Sequence, residues 1–158
     1  MPVFTERMPA GFPGNISRQA DAQVEPTVAA SAIAFGGPVQ LDAAGKIVAA
    51  TVEAKGVYGF LARPFPFQAR ALADNALGGG GIEAGQIGDV MRSGYMSVKM
   101  SAAETSTPVK GTPVKVVFTA TGSFVVGDIA MSQGVAVPGC IFMGAPDASG
   151  NVEIAFNI

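Results

Sequence analysis

The stretch Ile141-Phe142-Met143-Gly144-Ala145-Pro146-Asp147-Ala148-Ser149-Gly150-Asn151-Val152-Glu153-Ile154-Ala155-Phe156 reads as two short strands around a tight turn. Asp147 opens the turn and Gly150 closes it: an Asp side chain accepts from nearby backbone amides, and glycine tolerates the exit angle. Beyond the turn, Val152, Ile154 and Phe156 fall on one face and Glu153, Ala155 and Asn157 on the other, the alternation of a half-buried strand. The same recipe recurs at Asp42-Ala43-Ala44-Gly45, between residues 39–41 and 46–48. Short turns of this kind join antiparallel neighbours, because parallel strands need a longer crossover.

Outward from these hairpins the β signals continue. Tyr95, Ser97 and Lys99 share one face of a strand and Met96, Val98 and Met100 the other, while Val114, Val116 and Phe118 oppose Lys115, Val117 and Thr119. Residues 28–35 form a further strand candidate that ends at Gly36-Gly37-Pro38, and Gly56-Val57-Tyr58-Gly59-Phe60-Leu61-Ala62-Arg63 stops at Pro64-Phe65-Pro66. The two prolines lack ladder amides, which puts Phe65 and Phe67 on a loop or an edge. The alanines of residues 68–77 favour a short helix, ended by the glycines at 78–81. Short strands interrupted by Gly and Pro predict a mainly β chain, an antiparallel sandwich or barrel.

The first 26 residues differ from the rest. Prolines at 2, 9, 13 and 26 exclude a stable helix, yet Phe4, Phe12 and Ile16 are apolar side chains for which a disordered tail has little use. The expectation is an extended arm, residues 1–26, that lays these side chains on its own domain or a neighbour, followed by one β-rich domain over residues 27–158. A chain of 158 residues suits one such core. Only 14% of the residues are charged, against roughly 25% in ordinary soluble chains. A surface so poor in charge suits a subunit whose neighbours cover it.

Composition also narrows the chemistry. The chain has no histidine, the usual general base near neutral pH and the commonest metal ligand, so a Ser-His-acid triad or a Cys-His pair within it is excluded. The aspartates at 42, 74, 89, 128 and 147 lie mostly beside glycines, where turn capping explains them. Gly79-x-Gly81-x-x-Ala84 imitates a dinucleotide fingerprint without the preceding strand that would give it meaning. Cys140, the single cysteine, reads as a small buried hydrophobe. We therefore expect no enzyme, no cofactor and no metal. The formal charge of −2 without a basic block argues against nucleic acid, and the absence of a long apolar run or a leader-like N-terminus argues against a membrane and export. Arg63, Arg92 and Tyr95 are contact candidates, since arginine and tyrosine concentrate in interface hot spots. The competing reading makes Tyr95 a core-edge aromatic and Arg92 a strand-end charge.

The order of these pieces resembles the structural cement proteins of tailed bacteriophages. The resemblance runs through Pro13-Gly14-Asn15-Ile16-Ser17-Arg18, the segment from Val57 to Pro66, Gly88-Asp89-Val90-Met91-Arg92-Ser93-Gly94-Tyr95-Met96-Ser97-Val98, and Ile141-Phe142-Met143-Gly144-Ala145-Pro146. It implies a jelly-roll-like β domain that forms a homo-oligomer, bridges major capsid protein subunits and sits on the exterior of a virion capsid after synthesis in the host bacterial cytoplasm. It carries over no catalytic residue. The contact candidates under this reading are Phe4, Phe12, Ile16, Arg63, Phe65, Phe67, Arg92 and Tyr95. A carbohydrate-binding β-sandwich module of a tail or cell-surface protein is the alternative, although such sites favour aromatic platforms and this chain has no Trp and two Tyr.

Overall fold

In a computed structural model, residues 11–64 and 80–158 are described. The strands run in chain order as β1 (Gln23–Val28), β2 (Ile33–Ala34), β3 (Pro38–Leu41), β4 (Ile47–Ala49), β5 (Gly59–Ala62), β6 (Gly81–Ile82), β7 (Ile87–Lys99), β8 (Pro113–Val116), β9 (Ile129–Ala130), β10 (Val135–Phe142) and β11 (Asn151–Phe156). Two single 3-10 turns, Gln19–Asp21 and Glu53–Lys55, are the helical elements among the described residues. The expected helix at 68–77, with Phe65 and Phe67, lies outside them, as does Phe4.

Both predicted turns form, and they match bond for bond. Asp42 Oδ1 accepts from the amides of Ala44 and Lys46 at 2.8 and 2.9 Å. Asp147 Oδ1 accepts from those of Ser149 and Asn151, both at 2.9 Å. Gly45 and Gly150 carry φ of 76° and 77°, the left-handed region that glycine enters freely. One turn joins β3 to β4 and the other β10 to β11 in antiparallel register.

Nine of the strands form one sheet in the order β4-β3-β5-β7-β11-β10-β8-β9, with β1 paired to β7 beside that path, and β2 pairs with β6 in a separate two-stranded sheet. β7 is the shared spine. Its first half pairs with β5 and β1, its second half with β11. The register with β1 slips between Gln23↔Ser93 and Val24↔Met91, leaving Arg92 as an extra residue, a bulge where β7 passes from one half of the sheet to the other. Each half curls. A parallel bridge from Ala29 to Ile47 ties the chain after β1 back to β4, and another from Met100 to Ile129 ties the end of β7 to β9.

The curl creates two apolar clusters. Val39, Ile47, Leu61 and Val90 fill the inside of the first half, where Ala29, Ile33, Phe35 and Ile82 join them. Phe60, Ala62 and Met91 point the opposite way from Leu61 and Val90, as pleating requires, and meet Met96, Val98, Phe142, Ile154 and Phe156 of the second half. Phe60 and Phe156 touch edge to face at 5.3 Å between centroids. The alternation expected for β7 and β11 is present. Val117 departs from it: the strand ends at Val116, the Val117 amide turns to donate to Asp128 O at 2.9 Å, and the side chain is buried.

The strand expected over residues 28–35 does not form: β1 ends at Val28, and within the stretch only Ile33–Ala34 of β2 is further strand. Pro26 lies in the middle of β1, which is tolerated because Ala29 exchanges bonds with residues 85 and 86, so alternate residues 25 and 27 face β7 and Pro26 faces the open edge. Cys140 is buried and its thiol is pushed far up by burial, as a small core side chain.

Candidate contact surface

Residues 11–22 form a strap over the sheet, and its key position is Gly14. The Gly14 amide donates to Ser97 O in the second half at 2.8 Å, while Gly14 O accepts from the Arg63 amide at the end of the first half, also at 2.8 Å. One residue thus stitches the two halves together. Gly14 has φ of 87°, and a Cβ there would lie 2.9 Å from Arg63 N and 3.0 Å from Phe35 Cβ. Only glycine fits. Further along, Ser97 donates to Asn15 O at 2.8 Å and Ser17 to Tyr95 O at 3.0 Å, and Ile16 bridges Met96 antiparallel.

Three arginines lie over aromatic rings along this path, at distances that give cation–π attraction. Arg63 lies 4.6 Å from the Phe35 centroid and its Nε donates to Pro13 O at 3.1 Å. Burial lowers the pKa of its guanidinium. Arg18 lies 3.8 Å over Tyr95 and pairs with Glu153 at 3.5 Å; Ser17 Oγ donates to the same carboxylate at 2.6 Å. Arg92 lies 3.5 Å over Tyr58 and pairs with Glu25 of β1 at 3.5 Å. The Tyr58 hydroxyl donates to Glu25, and that bond is the main reason its pKa is raised, with burial adding to it and the Arg92 charge opposing it.

The sequence candidates therefore separate. Arg63 and Tyr95 hold the strap, and Arg92 holds β1. Ile16 packs partly buried against the larger cluster, and Phe12 is exposed at the strap's start.

The apolar surface lies elsewhere. Ile87 is 70% exposed, opposite the exposed Val28, with Pro26 and Val24 following on the same outer face of β1. These alternate with Gly88 and Val90, which face the interior, so the stripe is the outer face of the first half. Two shallow clefts flank the 3-10 turn at Glu53–Lys55. One of about 650 Å³ runs between it and Phe118, Val135 and Pro138. The other, about 530 Å³, runs between it and Tyr58, Arg92 and Asn157. The turn itself is organised by Gln40, buried in β3. Its Oε1 accepts from the Thr51 and Val52 amides at 3.0 and 3.1 Å, and its Nε2 donates to Val52 O and Gly56 O at 2.5 and 2.6 Å. Sequence reading missed Gln40, Arg18, Glu25 and Ile87, because their partners lie far along the chain or their exposure depends on the curl.

Carboxylates act as caps here. Besides the two hairpin aspartates, Asp128 accepts from Ser101 Oγ at 2.6 Å and the Val125 amide at 3.0 Å. Asp89 departs from the turn-cap expectation and sits within β7, opposite Ala62 and Pro26. Asp74 lies outside the described residues.

A family model described as "Structural cement protein (E217 gp24/Pam3 gp6)" matches residues 2–157. The chain belongs to this cement protein family. A search of curated proteins gave no match. Among solved structures, a chain of "The capsid of Myoviridae Phage XM1" superposes with a TM-score of 0.63 over 99% of this cement protein and 95% of that chain, at 20% identity. That likeness establishes a shared fold. The family is a structural phage family, and its curled antiparallel sheet agrees with the mainly β expectation.

Proposed function

We propose that this cement protein attaches to the outside of a phage head, bridges major capsid protein subunits and stabilises the shell, as a homo-oligomer and without a catalytic role. The observation that carries the reading is the family match over nearly the whole chain. The exposed stripe Val24, Pro26, Val28 and Ile87 supports it, because isolated apolar strand faces of this kind gain from a partner that covers them. We assign the direct contact to this stripe and to Phe12, keep Phe4, Phe65 and Phe67 as further contacts, and give Arg63, Arg92 and Tyr95 the indirect role of holding strap and β1 in place. Repeated sites on a symmetric lattice let an oligomer convert modest contacts into firm attachment through effective concentration. Binding the assembled shell and not its free subunits stabilises that shell by mass action. No observation favours a carbohydrate-binding module: Phe12 is the one large exposed aromatic among the described residues.

The test mixes purified protein with undecorated heads, images them, and measures the temperature at which they release DNA. Decoration and a raised release temperature are expected, and Ile87→Asp is expected to lower occupancy at least tenfold while leaving the fold intact, since burying an Ile is worth about 1.5–3 kcal/mol and a buried charge costs more. Bare heads with wild-type protein would refute the function. Full occupancy with the variant would move the contact away from this stripe.

A further inference from the structure

The strap has the properties of a segment that changes places between copies, and we propose that residues 11–17 of one copy pair with β7 of a second copy, in a reciprocal exchange populated in concentrated solution. Its hold on the sheet is made of bonds that any identical strap would remake: Gly14 to Ser97 and Arg63, Asn15 to Ser97, Ser17 to Tyr95. Within residues 11–17 only Pro13 and Gly14 are buried, so lifting the strap uncovers just the Phe35 edge of one apolar cluster and the Ile16 contact with the other. Segments held in this way open at a small fraction of the cost of global unfolding.

The hinge is also present. The 3-10 turn Gln19–Asp21 that joins the strap to β1 has no buried residue, and its N-cap Arg18 makes no side-chain capping bond; what resists a change of direction there is the surface contact of Arg18 with Tyr95 and Glu153, which the strap of a second copy would remake. β1 itself stays, paired over six residues with β7 and followed by the buried Ala29. The lifted segment, residues 11–22, spans at most about 40 Å when extended, enough to lie on a copy held alongside. Lifting the strap uncovers the Ser97 amide and the Tyr95 and Ser97 carbonyls as an open strand edge. Of all sequences, the strap is the one already matched to that edge, including a glycine where Arg63 and Phe35 leave no room for a side chain. Exchange therefore costs little beyond association, the usual condition for swapping identical elements.

The inference rests on the self-association proposed above, and it is tested without capsids, so it stands or falls separately from head binding. Asn15 and Ser97 stand opposite each other beside the Ile16↔Met96 bridge, with the Ser97 amide donating to Asn15 O, and directly opposed antiparallel residues lie about 5.5 Å apart at Cα, which suits a disulfide. Purified Asn15→Cys protein is mixed with Ser97→Cys protein at high concentration, incubated and oxidised; Cys140 is buried and takes no part. The double variant, oxidised when dilute, shows whether the pair closes at all. The exchange predicts an internal bond in the dilute double variant and a covalent heterodimer in the mixture, with the linkage located by mass spectrometry. An internal bond in the double variant with no heterodimer in the mixture would overturn it; if the double variant keeps free thiols, the same comparison is made with Ile16→Cys and Met96→Cys, the directly bridged pair, and is scored in the same way.

Discussion

The two hairpin turns and the strap each depend on a glycine in the left-handed region, but for different reasons. At Gly45 a Cβ would meet nothing within 4 Å, and at Gly150 only the end of the Lys99 side chain. These glycines serve the local backbone, and the aspartate three residues earlier supplies the bonds. At Gly14 the backbone angle is similar, yet the space is taken by Phe35 and Arg63, 21 and 49 residues further along the chain. A turn is a local contract between neighbours in the chain. The strap is fixed by residues that only the fold brings close.

That difference predicts an order of effects. The largest belongs to Gly14→Ala, which adds a backbone penalty of about 1–2 kcal/mol to a collision with backbone that cannot move without breaking β5 from the strap. We expect a loss of about 2 kcal/mol or more in urea unfolding, with amide exchange accelerated at Ser97 and Arg63 and unchanged at Val116. Preserved protection at Ser97 would show that the strap tolerates the methyl and would erase the contrast. Next come Asp42→Ala and Asp147→Ala, each removing two amide bonds of a turn, at about 1–2 kcal/mol and nearly equal. Unequal losses would show that the turns are not equivalent despite their shared geometry. Gly45→Ala follows at about 1 kcal/mol, a backbone cost alone, and Gly45→Asn should cost less because Asn visits this region more readily.

The smallest effect is a pH dependence, and it combines the two cases. Glu104 sits in a loop but accepts from the Met131 amide at 2.9 Å and from the Ser132 amide and hydroxyl at 2.7 and 2.8 Å, besides the Ser106 amide at 3.2 Å. Burial alone raises its pKa, but the bonds from Ser132, Met131 and Ser106 together outweigh it and leave the value below the ordinary glutamate range. A lowered folded pKa means stability that is fully present above the unfolded value, near 4.3, and lost as pH falls through the lowered one. Glu104→Gln should flatten that part of the stability curve between neutral and acid pH. An unchanged slope would show that the loop's bonds do not survive in solution.

Of the contact surface, the sequence exposed the less decisive part. Arg63, Arg92 and Tyr95 were legible as residues of an interface-forming type, but type alone does not say whether the interface is with another molecule or with the chain's own strap. Ile87 carried no signal: it begins a strand whose alternation reads equally well with either face inward, until β1, β5 and the curl decide which side is covered. Gln40 looks like any polar strand residue and is in fact the buried anchor of a turn at positions 53–55.

What the sequence determined by itself was whatever rests on residues within a few positions of each other: the paired Asp-x-x-Gly turns, the alternating faces of β7 and β11, and the exclusion of histidine chemistry. These follow from bonds and sterics that close over short loops. The tertiary structure decided the rest: that β7 serves two halves, that the strap is stitched at Gly14 between Ser97 and Arg63, and that three arginines lie over aromatic rings. Those arrangements depend on how far the sheet curls, which is the sum of many weak packing preferences along all its strands and is written at no single position.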